Sequence, residues 1–94
     1  MRLSPAQLDK IQRVCQQTFT NGASVWLFGS RLDDSARGGD VDLYVEAPPL
    51  TLIDELRCKI RLEEALQMPV DLIVRKPFDT SPIASIAKLQ GHLL

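Results

Sequence analysis

Seven consecutive residues, Asp40 to Glu46, alternate in polarity. In an extended chain Val41, Leu43 and Val45 share one face, while Asp40, Asp42, Tyr44 and Glu46 share the other. A helix of 3.6 residues per turn would scatter the three aliphatic side chains around its circumference, so the run demands a strand. A strand with an apolar face needs neighbours beside it and a layer to cover it. The chain has 94 residues in which to supply both. That length supports one small domain over residues 1–94, burying roughly 60–65% of the surface its unfolded form exposes.

Two further strands are expected. Ser24-Val-Trp-Leu-Phe28 is rich in β-branched and aromatic residues and stops at Gly29-Ser30. Val70-Asp-Leu-Ile-Val74 is apolar on both faces except for Asp71, which predicts a central place in the sheet. Helical periodicity fills the intervals. Ser4-Pro5-Ala6-Gln7 has the form of a capping box with proline at the first helical position. Leu8, Ile11, Val14, Cys15 and Thr18 or Phe19 follow it at helical spacing, and Asn21-Gly22 ends the segment. After Pro48-Pro49, Thr51 caps a second helix with an apolar stripe of Leu52, Ile53, Leu56, Ile60 and Leu66, closed by Pro69. Ser81-Pro82 opens a third, short helix that Ile83, Ile86, Ala87 and Gln90 continue and Gly91 closes. The order predicts an α/β (α+β) fold: a small mixed sheet of about three strands flanked by helices. The link between the first two strands is too short for a crossover helix, so that pair is expected to be antiparallel.

Composition narrows the function. Eleven basic residues against 12 acidic ones leave a net charge of −1, which removes any bulk drive toward nucleic acid or an anionic membrane. The two cysteines, Cys15 and Cys58, are distant in sequence and lack metal-like spacing, so they are read as reduced thiols in a cytoplasmic protein. The only histidine, His92, is three residues from the end of the sequence, which argues against a Ser-His-Asp triad, a Cys-His pair or a histidine-rich zinc site. No apolar run approaches the roughly 18 residues of a membrane helix, and the N-terminus lacks the form of a signal peptide.

The chemistry-bearing residues are the aspartates and one turn. Asp40 and Asp42 lie side by side on one strand face, where two carboxylates repel unless a cation sits between them. Asp71, if buried among Val, Leu and Ile, is costly unless it is paired or ligates a metal. A magnesium site with oxygen ligands answers both problems. An Asp-x-Asp pair taken alone is usually just solvated, and Asp71 has Arg37, Arg57 or Arg75 as alternative partners. The strand end at Gly29-Ser30-Arg31 adds weight, because glycine lets backbone N–H groups approach a phosphate closely. Ser30 adds a hydroxyl, and Arg31 or Arg37 a charge-assisted contact.

These segments together, Phe28-Gly29-Ser30-Arg31, Gly39-Asp40-Val41-Asp42-Leu43-Tyr44-Val45 and Val70-Asp71-Leu72-Ile73-Val74, resemble the nucleotidyltransferases of the DNA polymerase β superfamily. They are most similar to its minimal, single-domain bacterial and archaeal members (MNT). The resemblance runs over nearly the whole chain. It implies a polymerase β-like fold, Gly29, Ser30 and Arg31 as nucleotide-binding residues, and Asp40, Asp42 and Asp71 as catalytic ligands of two Mg2+ ions. It further implies transfer of a nucleoside monophosphate, AMP from ATP, to a hydroxyl. Members of this size often pair with an all-helical HEPN toxin, the MNT protein being the antitoxin, so a protein hydroxyl on such a partner is the implied acceptor. One departure stands out: where the family often has a second glycine after Gly-Ser, this chain has Leu32-Asp33-Asp34. The rival reading is a non-catalytic module that neutralises a partner by contact, marked by an exposed apolar patch.

Overall fold

The structure is a computed structural model that describes residues 3–19, 22–29, 41–48 and 50–94. Its elements run α1 (Pro5–Thr18), β1 (Ser24–Phe28), β2 (Val41–Glu46), α2 (Leu52–Leu66), β3 (Val70–Arg75), α3 (Pro82–Gln90) and β4 (His92–Leu93). Each helix begins where a hydroxyl can satisfy an otherwise unpaired amide. Ser4 accepts from the Gln7 amide while Gln7 reaches back to the Ser4 N–H, a complete capping box. Thr51 accepts from Asp54 at 3.2 Å, and Ser81 from Ala84 at 3.4 Å. α1 stops at Thr18, ahead of the expected Asn21-Gly22, and α2 ends at Leu66 with Gln67 left-handed at φ 55°.

The strands form one mixed sheet in the order β3-β2-β1-β4. As the short link requires, β1 and β2 are antiparallel, with Phe28 opposite Asp42 and Ser24 opposite Glu46. β2 and β3 are parallel, joined through α2, with Asp42 beside Asp71 and Glu46 beside Arg75. Two expectations are corrected here. The sheet has four strands, because His92 and Leu93 pair with Leu27 and Trp26. Two residues are too few to show periodicity. Gly91 permits this return, since a Cβ there would run into the Ala87 carbonyl oxygen. β3, expected at the centre, is an edge strand, and Asp71 is exposed rather than buried. A continuous apolar run is equally satisfied by an edge position when helices shield its length, and Leu72, Ile73 and Val74 are indeed only half-buried.

Opposite faces of the sheet meet different layers. α1 and α2 cover one face, packing Ile11, Cys15, Phe19, Cys58, Leu62 and Leu66 onto Val25, Leu27, Val41, Leu43, Val45 and Val70. α3 covers part of the other, where Ala84 and Ala87 pack on Tyr44 beside Trp26, Phe28 and Ile73. The buried face of α2 differs from the expected stripe. α2 turns Cys58, Leu62 and Leu66 inward and leaves Leu52, Ile53, Leu56 and Ile60 at 71, 62, 49 and 52% exposure. α3 buries Ala84 and Ala87 and leaves Ile86 and Leu89 exposed. Both helices carry more than one apolar row. Close approach to the sheet selects the row that fits, and small residues let α3 settle directly on the Tyr44 ring. Among the described residues no helix is long and apolar enough to cross a membrane.

Candidate active site

The site is built from strand ends. β1 runs toward the edge at which β2 and β3 begin, so Gly29, Asp42 and Asp71 gather at one end of the sheet. Alternation sends Asp42, Tyr44 and Glu46 to the α3 side of β2, and the parallel register places Asp71 on that same side of β3. Adjacent strands lie about 4.8 Å apart, which sets the two carboxylates next to one another. Asp42 is half-buried and Asp71 exposed, so this end of the face is open to solvent.

Gly29 has a left-handed backbone, φ 79°, and a Cβ built on it would collide with the Asp42 carboxylate. Only glycine suits both conditions, conformation and space. Gly29 is therefore pressed against the Asp42 carboxylate, as a phosphate-approaching backbone next to acidic side chains would be. Asp40, Ser30 and Arg31, like Arg37 and the Leu32-Asp33-Asp34 departure, lie outside the described residues. Among the described residues no three acidic, histidine or cysteine side chains converge as a metal group. Asp42 and Asp71 supply two hard oxygen donors in register, a donor set that suits a divalent cation such as Mg2+ once a third carboxylate joins it.

Farther along the same face lies a cluster that alternation placed correctly but whose depth it did not reveal. Glu46, expected on a polar face, is 8% exposed and Tyr44 fully buried. The Glu46 carboxylate accepts hydrogen bonds from the Tyr44 hydroxyl at 2.7 Å and the Phe78 amide at 3.2 Å, and pairs with Lys88. Burial alone would raise the Glu46 pKa, but the hydrogen bonds from Lys88, Tyr44 and the Phe78 amide outweigh it and hold the carboxyl below its ordinary value. Burial, and then the bond to Glu46, push the Tyr44 phenol up. Lys88 also sits 5.7 Å from the centre of the Trp26 ring, which packs against Tyr44. With both oxygens of Glu46 engaged, this is an anchor for α3 and for the turn at Phe78 that precedes it. The only sequence signal for it was a glutamate in phase with buried Tyr44.

Among the described residues, cavities also lie away from the strand ends that carry Asp42 and Asp71. One of about 420 Å³ is lined by Gln12, Cys15, Gln16, Phe19, Val25 and Leu94 among others, with no charged side chain to meet a triphosphate. The open end of the sheet, with its carboxylates and its glycine, is the better candidate for chemistry.

A mixed sheet with two carboxylates in register, a glycine turn against one of them and helices on both faces is the arrangement of a nucleotidyltransferase domain. The family model of that description matches residues 8–90, and the chain belongs to the family. Among solved structures, it is similar to a mutant of the toxin–antitoxin MntA-HpeT at 25% identity and a TM-score of 0.72, covering 93% of this chain and 69% of that one. A second mutant of the same toxin–antitoxin, 23% identical over 90% of this chain and 69% of its own, shares the fold with a TM-score of 0.72. Comparison with curated proteins gave no match.

Proposed function

We propose that this chain is a Mg2+-dependent nucleotidyltransferase of the cytoplasm that moves AMP from ATP onto a hydroxyl of a HEPN-type toxin partner and so acts as its antitoxin. The observation that carries the reading is the meeting of Gly29, Asp42 and Asp71 at one open end of the sheet, on a chain of the nucleotidyltransferase family. Asp40, Asp42 and Asp71 would hold two metal ions, whose chemistry when bound is to neutralise phosphate charge and acidify an acceptor hydroxyl. The chain's own groups do the rest. The Gly29 and Ser30 backbone amides would face the phosphates, whose close approach the missing side chain at position 29 allows, and the Arg31 guanidinium would add a charge-assisted contact. Asp71, exposed on an edge strand, is reachable by an acceptor hydroxyl and takes its proton as the oxygen attacks the α-phosphorus.

Two features support a protein as the acceptor. The similar solved structures are of a toxin–antitoxin, and the row Leu52, Ile53, Leu56 and Ile60 on α2 offers an exposed apolar ridge of the kind that marks a protein contact. That ridge also favours the second reading, an antitoxin acting by contact alone, and one experiment separates the two. Purified chain, Mg2+ and labelled ATP are incubated with the partner encoded beside it. Label should pass to the partner with the wild type and not with Asp40→Ala or Asp42→Ala, each keeping a near-native circular dichroism spectrum. No transfer by the wild type, or neutralisation of the partner by Asp42→Ala equal to that by wild type, overturns the enzymatic reading. Leu56→Asp combined with Ile60→Asp should weaken co-purification of the partner; unchanged recovery removes the ridge from the interface.

A further inference from the structure

β3 forms one side of the sheet, and among the described residues no strand pairs with it beyond β2. The Val41 amide donates to the Pro69 carbonyl and the Ala47 amide to the Arg75 carbonyl, each at 3.0 Å. In a parallel ladder this turns the backbone groups of Asp71, Ile73 and Arg75 toward β2 and those of Val70, Leu72 and Val74 outward. The two ends of the outward row are occupied. The Val70 amide donates to the Glu63 carboxylate at 3.0 Å, and the Val74 carbonyl accepts from the Arg75 guanidinium at 3.2 Å. Between them the Leu72 amide, the Leu72 carbonyl and the Val74 amide have no partner among the described residues. No proline or bulge interrupts residues 70–75 in their register with β2. Such an edge is a template for a further strand. Its exposed charges, Asp71 and Arg75, are of opposite sign and flank Ile73 symmetrically.

We propose that the outer edge of β3 joins two copies of this chain as an antiparallel strand pair centred on Ile73. In that register Leu72 lies opposite Val74 of the second copy and exchanges both backbone hydrogen bonds with it, and the two-fold axis repeats the exchange. Asp71 lies opposite Arg75 of the second copy in the closer, non-hydrogen-bonded kind of pair, where opposite charges stabilise and like charges repel. Leu72 and Val74, both packed on the aliphatic core, meet across the joint on one face, and the two Ile73 side chains meet on the other.

The neighbouring registers fit less well. Centring on Leu72 needs the Val70 amide, which Glu63 already holds, and sets Asp71 against Ile73. Centring on Val74 sets Arg75 against Ile73 and Asp71 against Pro77. Only the Ile73 register matches the open backbone groups and the charges together. Arg75 can change partners at small cost, since its ion pair with Asp79 is 3.6 Å long and half-exposed on the arginine side. Its turn toward Asp71 releases the Val74 carbonyl for the incoming Leu72 amide. Asp71 held in this way is closed to an acceptor hydroxyl, so on the reading proposed above the pair is a resting form. The pairing itself rests on no part of that reading.

The test uses the purified full chain. Sedimentation equilibrium should give a mass that rises with concentration from one 10.5 kDa chain toward two. Arg75→Asp and Asp71→Arg each set like charges opposite one another and should weaken association by about tenfold or more. The double variant, Asp71→Arg with Arg75→Asp, should restore it. Ile73→Cys should cross-link to its own copy under mild oxidation, because the axis sets residue 73 against itself at a disulfide's spacing, and Leu72→Cys should not. A single-chain mass at every concentration overturns the proposal. So does association that both single charge variants leave unchanged, or a double variant that stays monomeric with a near-native circular dichroism spectrum. Cross-linking of Leu72→Cys equal to that of Ile73→Cys overturns it without reference to the charge variants. If the charge variants lower recovery of the toxin partner and leave the mass alone, the edge serves that partner and pairing with a second copy is overturned.

Discussion

The two faces of the sheet are made from the same strands, yet only one is finished. The face under α1 and α2 is aliphatic from end to end, and Val41, Leu43 and Val45 have no solvent exposure at all. The face under α3 begins with exposed Asp71 and half-buried Asp42 and ends with the closed Tyr44–Glu46–Lys88 cluster. A nine-residue helix covers the Tyr44 part of that face, and Asp71 at the strand end stays exposed. The difference shows how a small fold separates its tasks. One face holds the chain together, and the shortness of the helix on the other leaves room for polar groups that a full layer would have to bury at a cost.

Adjacent residues on β2 provide the sharpest test of that division. Asp42→Ala should reduce nucleotidyl transfer by more than about 100-fold, since even outer partners of metal ligands are worth 10–100-fold. Its urea midpoint should barely move. Leu43→Ala, one residue along and on the other face, should cost about 2–5 kcal/mol in urea unfolding while each folded molecule keeps near wild-type activity. If the two phenotypes exchange places, the division of faces is wrong. Gly29→Ala belongs with Asp42. The new Cβ would displace the Asp42 carboxylate, so transfer should fall steeply, and a transfer rate equal to wild type would detach the turn from the site.

Smaller effects probe the closed half of the α3 face. Lys88→Ala leaves the Glu46 carboxylate buried with a partner missing and should cost about 1.5–3 kcal/mol, the range of a hydrogen bond to a charged group. A loss below the error of the measurement would mean that Tyr44 and the Phe78 amide suffice. The smallest effect is a pH slope. Because the folded pKa of Glu46 is depressed, its contribution is complete above the ordinary value of 4.5 and is lost as pH falls from there toward the folded value. Glu46→Gln should therefore flatten the acid limb of the stability curve between roughly pH 6 and pH 3. An unchanged limb would assign acid unfolding to other carboxylates.

Local signals in the sequence proved reliable where a single residue or a strict period decides the outcome. Ser4, Thr51 and Ser81 cap the three helices because a hydroxyl next to orphan amides has few better uses. The period of two across Asp40–Glu46 set which residues of β2 share a face, and it put Asp42 in phase with Tyr44 and Glu46. The antiparallel link from β1 to β2 followed from its length. The site was partly legible for the same reason, since Gly29 at a strand end and Asp42 on the next strand are both local facts.

Other outcomes depended on what each element met. Asp71 looked buried because its neighbours are apolar, but strand order put β3 at the edge and its carboxylate in solvent. The two apolar rows of α2 are both helical in period. Only contact with Ile11 and Cys15 on α1 selected Cys58 and Leu62 for the core and left Leu56 and Ile60 outside. The same packing set Cys15 and Cys58, distant in sequence, in one buried cluster. The chain by itself determined element type, the caps and the in-phase sets of residues, because backbone geometry imposes these over a few residues. Which set is buried, which strand is central and which side chains meet were decided by tertiary structure, because burial is a property of the surface an element packs against and not of the element.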